Sequence, residues 1–220
     1  MIKESDIDIK IAKEKFINLG YRIQKKERYV YESENHFIKI WVTNWTQSKS
    51  SRAGFDLGFY DKNNCSAFEC FITDYSGDRG YITKKGECLK AKNKKDWKSL
   101  RNVVSKDTCK NFIKSIIDNA INSKGIHCDM FPSNIIIYKG NISLIDLDGY
   151  RSLSFLFEKE KSYFEEFDID AWWKPHESAL RDVNESIKSF LKSIFDIEIN
   201  FKIDSFENLK RVQKIIEEKC

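Results

Sequence analysis

The sequence predicts an α+β protein in two parts, a small antiparallel sheet before about residue 85 and a mainly helical region after it. Early segments such as 36–42 alternate apolar and polar side chains, which is typical of strands. Segment 107–124 has its apolar residues at helical spacing, which predicts a long amphipathic helix. The stretch 126–150 joins a polar loop to two short apolar strands, and the rest of the chain is organised around it.

One helix and several strands are expected before residue 85. Ser5–Leu19 is predicted to be helical because Ser5 can cap it, apolar residues lie near helical spacing within it, and Gly20 can end it. Three strand-like pieces follow, and a later hairpin is centred on Ser76-Gly77-Asp78. The expected strands are Tyr21–Gln24, Arg28–Glu32, His36–Val42, Phe68–Tyr75 and Gly80–Thr83.

Helices are expected to make up most of the chain after residue 85. The clearest is Asp107–Lys124, in which Phe112, Ile116 and neighbouring apolar residues share one face and Gly125 ends the helix. It leads directly into the stretch 126–150. Further helical segments are expected at Phe167–Trp173, Asn184–Phe195 and Ser205–Lys219.

Composition excludes several classes of protein. The chain is 33% charged, 41% hydrophobic and 14% aromatic, which is typical of a folded globular protein and not of a disordered one. No apolar run reaches the roughly 20 residues of a membrane span, and MIKESDIDIK contains no apolar signal core. We therefore expect a cytoplasmic protein. The net charge of +4 does not indicate a nucleic-acid binder, and six cysteines without a CxxC pair favour free thiols.

The chemistry is concentrated in IHCDMFPSNIIIYKGNISLIDLDGY. His127, Asp129 and Asn134 occupy one loop, and a strand hairpin then leads to Asp146. Acidic and amide side chains at the two ends of such a hairpin can hold Mg²⁺ beside a hydroxyl group. The pattern H-x-D-x-x-x-x-N, followed by two apolar strands and an Asp, resembles the catalytic loop and the metal-binding Asp of the protein-kinase-like superfamily.

The resemblance implies a role for each residue of this stretch. Asp129 is expected to orient the acceptor hydroxyl and take its proton late, while His127 supports the loop and does not act as the base. Asn134 and Asp146 are expected to bind Mg²⁺ together with the ATP phosphates. Asp148 either assists a second metal or faces solvent.

The resemblance extends, more weakly, to the strands before residue 85. Lys39, flanked by apolar residues in HFIKIWV, matches the lysine that contacts the α- and β-phosphates of ATP in kinases. Its acidic partner is either Asp56 or Glu69. The segment Thr83–Leu89 corresponds to the hinge, whose backbone usually binds the adenine edge. The lysine-dense segment after it, Lys84–Lys98, is either a solvated helix face or an attractor of an anionic acceptor.

The chain also departs from the protein-kinase pattern. Lys25-Lys26-Glu27 stands where a glycine-rich loop is usual, and Asp146-Leu147-Asp148 replaces D-F-G. Cys128 occupies the place of the Arg that binds a phosphorylated activation loop, and A-P-E is absent. These differences argue against a protein substrate.

The implied fold is therefore a protein-kinase-like one, with an N-lobe at 1–85 and a C-lobe at 86–220. The short chain is similar to small bacterial-type phosphotransferases, such as lipopolysaccharide core heptose kinases and aminoglycoside phosphotransferases. The implied activity is ATP- and Mg²⁺-dependent transfer of phosphate to a hydroxyl of a sugar, a glycan or another small polar acceptor. The alternatives are a pseudokinase-type binding module and, less well supported, a protein kinase. The residues identify neither the acceptor nor the oligomeric state.

Overall fold

The computed structural model describes residues 22–25, 30–40, 67–74, 77–89, 96–158 and 176–220. The predicted helices Ser5–Leu19 and Phe167–Trp173 lie outside the described residues, as do Asp56 and Lys25-Lys26-Glu27 except for the backbone of Lys25. The strand and helix predictions below are compared only where the chain is described.

A five-stranded antiparallel sheet forms from the described residues before 85, in the order β1-β2-β3-β5-β4. Each predicted strand is present, and among the described residues only the first and the last strand have ends that differ from the predicted ones. The largest shift is in the last hairpin, where β5 already begins at Gly77, inside the predicted turn Ser76-Gly77-Asp78. The strands are β1 Arg22–Lys25, β2 Val30–Glu32, β3 His36–Ile40, β4 Phe68–Asp74 and β5 Gly77–Lys84.

The register of this sheet decides which side chains face the site. Lys39 on β3 is paired with Tyr81 on β5 and with Val30 on β2, so these three lie on one face, because cross-strand partners share a face. Ile38 and Ile40 alternate with Lys39 and are buried on the opposite face. The alternation HFIKI therefore places the lysine on one side of the sheet and the isoleucines on the other.

Short strands carry the stretch 126–150. The two predicted strands are present, and Lys139 and Gly140 make the turn between them with positive φ angles of 50° and 77°. Two further strands that the sequence did not predict pair with each other at the ends of the stretch. The strands are β6 Glu87–Cys88, β7 Gly125–His127, β8 Ile135–Tyr138, β9 Asn141–Leu144 and β10 Tyr150–Ser152.

Helices pack around these strands. The predicted helix 107–124 is present as α1, capped by the Ser105 hydroxyl, which accepts from the Thr108 N–H at 3.1 Å, and ended by Lys124 in the left-handed conformation. The next predicted helix begins earlier than expected, at His176. The described helices are α1 Lys106–Ser123, α2 Leu153–Glu158, α3 His176–Phe195 and α4 Phe206–Lys219.

One core joins these helices to the strands of 126–150. The apolar face of α1 packs against α3 and α4, and Trp97 fills the gap with its ring 5.0 Å from that of Phe190. None of the helices in the described part of the chain combines the length and the apolar composition that crossing a membrane requires. With an antiparallel sheet first and a mainly helical region after it, the described part of the chain matches the predicted two-lobed α+β fold. The boundary at residue 85 stays a prediction.

Candidate functional site

His127 ends β7 and holds the loop that follows it. Its side chain is 1% exposed, and its Nδ1 accepts a hydrogen bond from the Asp129 N–H at 3.2 Å. Because Nδ1 accepts, the ring proton is on Nε2, which donates to the carbonyl of Asp146. One buried imidazole thus ties the start of the loop to the end of the hairpin, which is a supporting role.

Asn134 closes the loop around Asp129. Pro132 begins a 3₁₀ turn, Pro132–Asn134, which brings the Asn134 side chain back toward the start of the loop. The Asn134 amide nitrogen donates to the Asp129 carbonyl at 2.8 Å. Since the NH₂ group is used in this way, the amide oxygen is the group left to bind a cation.

Lys39 and Asp146 meet although they come from different parts of the chain. Lys39 Nζ lies 2.6 Å from Asp146 Oδ1. Their side chains are 15% and 26% exposed, so water screens this ion pair less than it screens a pair on an open surface. The lysine of β3 and the carboxylate after β9 therefore face each other directly.

A cavity of about 270 Å³ opens beside this ion pair. Its size is close to the lower end of the range for small-molecule sites, about 300 Å³. Its lining combines apolar side chains, such as those of Val30 and Phe37, with charged and amide ones. It is lined by Val30, Phe37, Lys39, Tyr81, Thr83, Cys88, Ser133, Asn134, Ile145 and Asp146.

Tyr81 is a site residue that the sequence analysis missed. Its hydroxyl donates to the Ile145 carbonyl and accepts from the Leu147 N–H, at 3.2 Å in each case. The sequence did place Tyr81 beside Gly80 in a predicted strand. Whether Tyr81 shares a face of the sheet with Lys39 depends on the register of the two strands, which the residues alone do not show.

Gly149 leaves room for the His127 ring, which supports the loop, and Gly125 leaves room for the Tyr150 ring, which does not line the cavity. A Cβ at Gly149 would lie 2.7 Å from Cε1 and Nε2 of His127, and one at Gly125 would overlap the Tyr150 ring. Tyr150 donates its hydroxyl proton to the Ser123 carbonyl at 3.2 Å. Burial raises the pKa of the Tyr150 phenol to about 12, so it remains a donor at neutral pH.

The remaining predicted site residues are placed differently. Asp129 is half-buried and is joined to the cavity through Asn134, but it does not line it. Glu69 lies 2.9 Å from His36 Nε2, so its described side-chain contact is with a histidine. Asp56 and the side chain of Asp148 lie outside the described residues, and their predicted roles stay predictions.

Comparisons with known proteins add a distant likeness. No protein-family model matches the chain, and no curated protein matches it. Among solved structures, the chain is similar to the ADP-bound crystal structure of aminoglycoside phosphotransferase APH(2'')-Ib. The identity is 14%, the TM-score is 0.39, and the match covers 97% of this chain and 98% of that one. A likeness of this degree identifies no activity.

Proposed function

We propose that the protein is an ATP- and Mg²⁺-dependent phosphotransferase that moves the γ-phosphate of ATP to a hydroxyl of a small polar acceptor. The observation that carries this proposal is the Lys39–Asp146 pair at 2.6 Å, in a cavity that Asn134 also lines. A cation for the phosphates and oxygen ligands for a metal thus lie at one place. Phosphoryl transfer depends mainly on such positioning and charge neutralisation.

The oxygen donors of the site fit Mg²⁺ held partly by nucleotide. Asp146 offers a carboxylate and Asn134 an amide oxygen, and Mg²⁺ is commonly bound by one or two carboxylates plus substrate phosphates. In the described residues, no group of three or more His, Cys, Asp or Glu side chains is placed to hold a metal by itself. When bound, Mg²⁺ would neutralise charge on the phosphates. Asp148 is proposed as a further ligand from its position in the sequence.

The chain's own residues would perform the remaining steps. Lys39 would bind the phosphates once it leaves Asp146. Asp129 would hold the acceptor hydroxyl and take its proton as the new O–P bond forms and the bond to the ADP oxygen breaks. His127 would keep Asp129 and the Asp146 backbone at a fixed separation through its two ring nitrogens.

The acceptor is proposed to be a sugar, a glycan or another small polar molecule. The basis is the sequence: A-P-E is absent, and Cys128 replaces the Arg that a phosphorylated activation loop needs. Cys128 is fully buried in the core. Lobes at 1–85 and 86–220, a cytoplasmic location and the absence of nucleic-acid partners remain parts of this proposal.

The test is transfer of label from γ-labelled ATP to a fractionated metabolite extract that contains sugars, glycans and amino alcohols. We expect a labelled product in the presence of Mg²⁺, and none with Asp129→Asn. Nucleotide binding without any labelled product, across the whole extract and with purified protein substrates, would favour the binding-module alternative. The absence of both binding and transfer would refute the proposal.

A further inference from the structure

Tyr81 lies directly across the sheet from Lys39, and its ring lines the cavity. Lys39 Nζ is 5.8 Å from the centre of that ring, which is within the distance of a cation–π contact. The Tyr81 residue is 2% exposed. A buried phenol needs hydrogen-bond partners in the protein, and the position of those partners is the informative feature.

The Tyr81 hydroxyl joins the two peptide groups that flank Asp146. It donates to the carbonyl of Ile145 and accepts from the N–H of Leu147, each at 3.2 Å. Both peptide groups are therefore tied to one atom that belongs to the sheet. Because the orientation of the flanking peptides sets the direction of the Cα–Cβ bond between them, these hydrogen bonds aim the Asp146 carboxylate.

We propose that Tyr81 is a positioning residue for Asp146. In the nucleotide-free protein it would aim the carboxylate at Lys39, and with Mg²⁺-ATP bound it would hold the same carboxylate toward the metal. The second part rests on the proposed function, whereas the first part does not. The ring of Tyr81 would thus contact the lysine, while its hydroxyl would orient the carboxylate of Asp146.

The backbone around Asp146 has a second support, from the loop that contains His127 and Asn134. His127 donates to the carbonyl of Asp146 itself, and the Ile145 N–H donates to the Asn134 carbonyl at 3.1 Å. These contacts come from the loop, while those of Tyr81 come from the sheet. Removal of the Tyr81 hydroxyl is therefore expected to misdirect Asp146 without unfolding the hairpin.

The variant that tests this is Tyr81→Phe, which keeps the ring and removes only the hydroxyl. Its matched control is Tyr150→Phe, which also deletes one buried hydroxyl bonded to a carbonyl, at Ser123. The first measurement, in nucleotide-free protein, is the rate at which an amine-acylating reagent modifies Lys39, followed by mass spectrometry. An amine whose carboxylate partner is turned away is no longer held in the ion pair, so it is more accessible to the reagent and reacts faster.

The second measurement is the ratio of ATP affinities with Mg²⁺ and with a chelator. We expect Tyr81→Phe, which loses both hydrogen bonds of the hydroxyl, to lower this ratio about tenfold. We also expect it to raise the rate of Lys39 modification most of the way to that of Asp146→Asn. Tyr150→Phe should change neither quantity. A purely structural role for Tyr81 would lower the melting temperature but leave both quantities at the parent value.

The two measurements separate this inference from the proposed function. If the parent shows metal-dependent ATP binding and Tyr81→Phe matches it in both readouts, the positioning role is wrong and the proposed function stands. If the parent binds no nucleotide, the proposed function fails and so does the metal-directed part of the inference. If Tyr81→Phe then also leaves the rate of Lys39 modification unchanged, the part of the inference that concerns the nucleotide-free protein is wrong as well.

Discussion

Lys39 and Asp146, 107 positions apart in the sequence, form an ion pair of 2.6 Å between Nζ and Oδ1. In the proposed reaction the Lys39 ammonium would bind phosphates and the Asp146 carboxylate would bind a metal, so both groups would have to leave this ion pair. A nucleotide must therefore compete with this pair, and it can do so only if it offers a negative group to the lysine and a cation to the aspartate.

We predict from this relationship that ATP raises the melting temperature with Mg²⁺ and much less without it. A ligand at about 100 times its Kd stabilises the folded state by about 2.7 kcal/mol, which is easily measured by thermal unfolding. ATP alone would bring negative charge toward Asp146. The measurement compares millimolar ATP with Mg²⁺, with Mn²⁺ and with a chelator. No shift with either metal would argue for a binding module that takes no nucleotide.

Asp129→Asn and Asp146→Asn are expected to fail differently. Asp129 does not line the cavity, so its replacement should spare nucleotide binding and slow transfer by about 10²–10⁴-fold, the usual size of a general-base contribution. Asp146 lines the cavity, so its replacement should weaken metal-dependent ATP binding as well as turnover. Asparagine keeps the side-chain volume, and both variants should fold. If both bind and turn over ATP like the parent, the chemistry does not reside in 126–150.

Gly149→Ala is expected to reduce turnover by displacing His127. The added Cβ would lie 2.7 Å from two atoms of the buried imidazole, and a shift of about 1 Å in an aligned group can cost about 10²-fold. The control is Gly140→Ala in the β8–β9 turn, which is strained by its φ of 77° but has no atom within 4 Å of the new Cβ. Both variants should lose stability, and only Gly149→Ala should lose turnover beyond what unfolding explains.

Asn184→Ala tests the packing of the helical region. The buried Asn184 side chain donates to the Ile203 carbonyl at 2.9 Å and accepts from the Ile203 N–H at 2.7 Å. Its removal leaves two buried backbone groups unpaired, at about 1–3 kcal/mol for each. We expect the free energy of unfolding in urea to fall by roughly 2–6 kcal/mol, the sum of the two contributions. Asn208→Ala, which breaks an exposed bond to the Lys202 carbonyl, should cost clearly less.

Stability at alkaline pH is expected to depend on Tyr150. Burial raises the pKa of its phenol from 10 to about 12, so the folded state holds the proton more tightly than the unfolded state does. The stabilisation is fully present below pH 10 and is lost as the pH rises to 12, by up to about 1.4 kcal/mol per pH unit. Between pH 10 and pH 12, the free energy of unfolding measured with urea should fall less steeply with rising pH for Tyr150→Phe than for the parent. Equal slopes would contradict the raised pKa.

The parts of the site that lie close together along the chain could be predicted from the residues alone. His127, Asp129 and Asn134 fall within eight residues, and the turn chemistry of Pro132 and of Lys139-Gly140 brings the loop and hairpin into place locally. The amphipathic pattern likewise predicted α1 and α4. Local contacts of this kind are set by backbone propensity, capping and short turns, which can be read residue by residue.

The contacts between groups that are distant in the sequence could not be predicted in this way, because they depend on how the strands pair. The pairing of Lys39 with Tyr81 depends on the register of β3 against β5, and a shift by one residue would turn the opposite set of side chains toward the site. The same register brings Lys39 to Asp146 and the Tyr81 hydroxyl to the backbone on either side of it. The strands β7 and β10, three residues each, were also unpredictable, because their pairing and not their composition makes them strands.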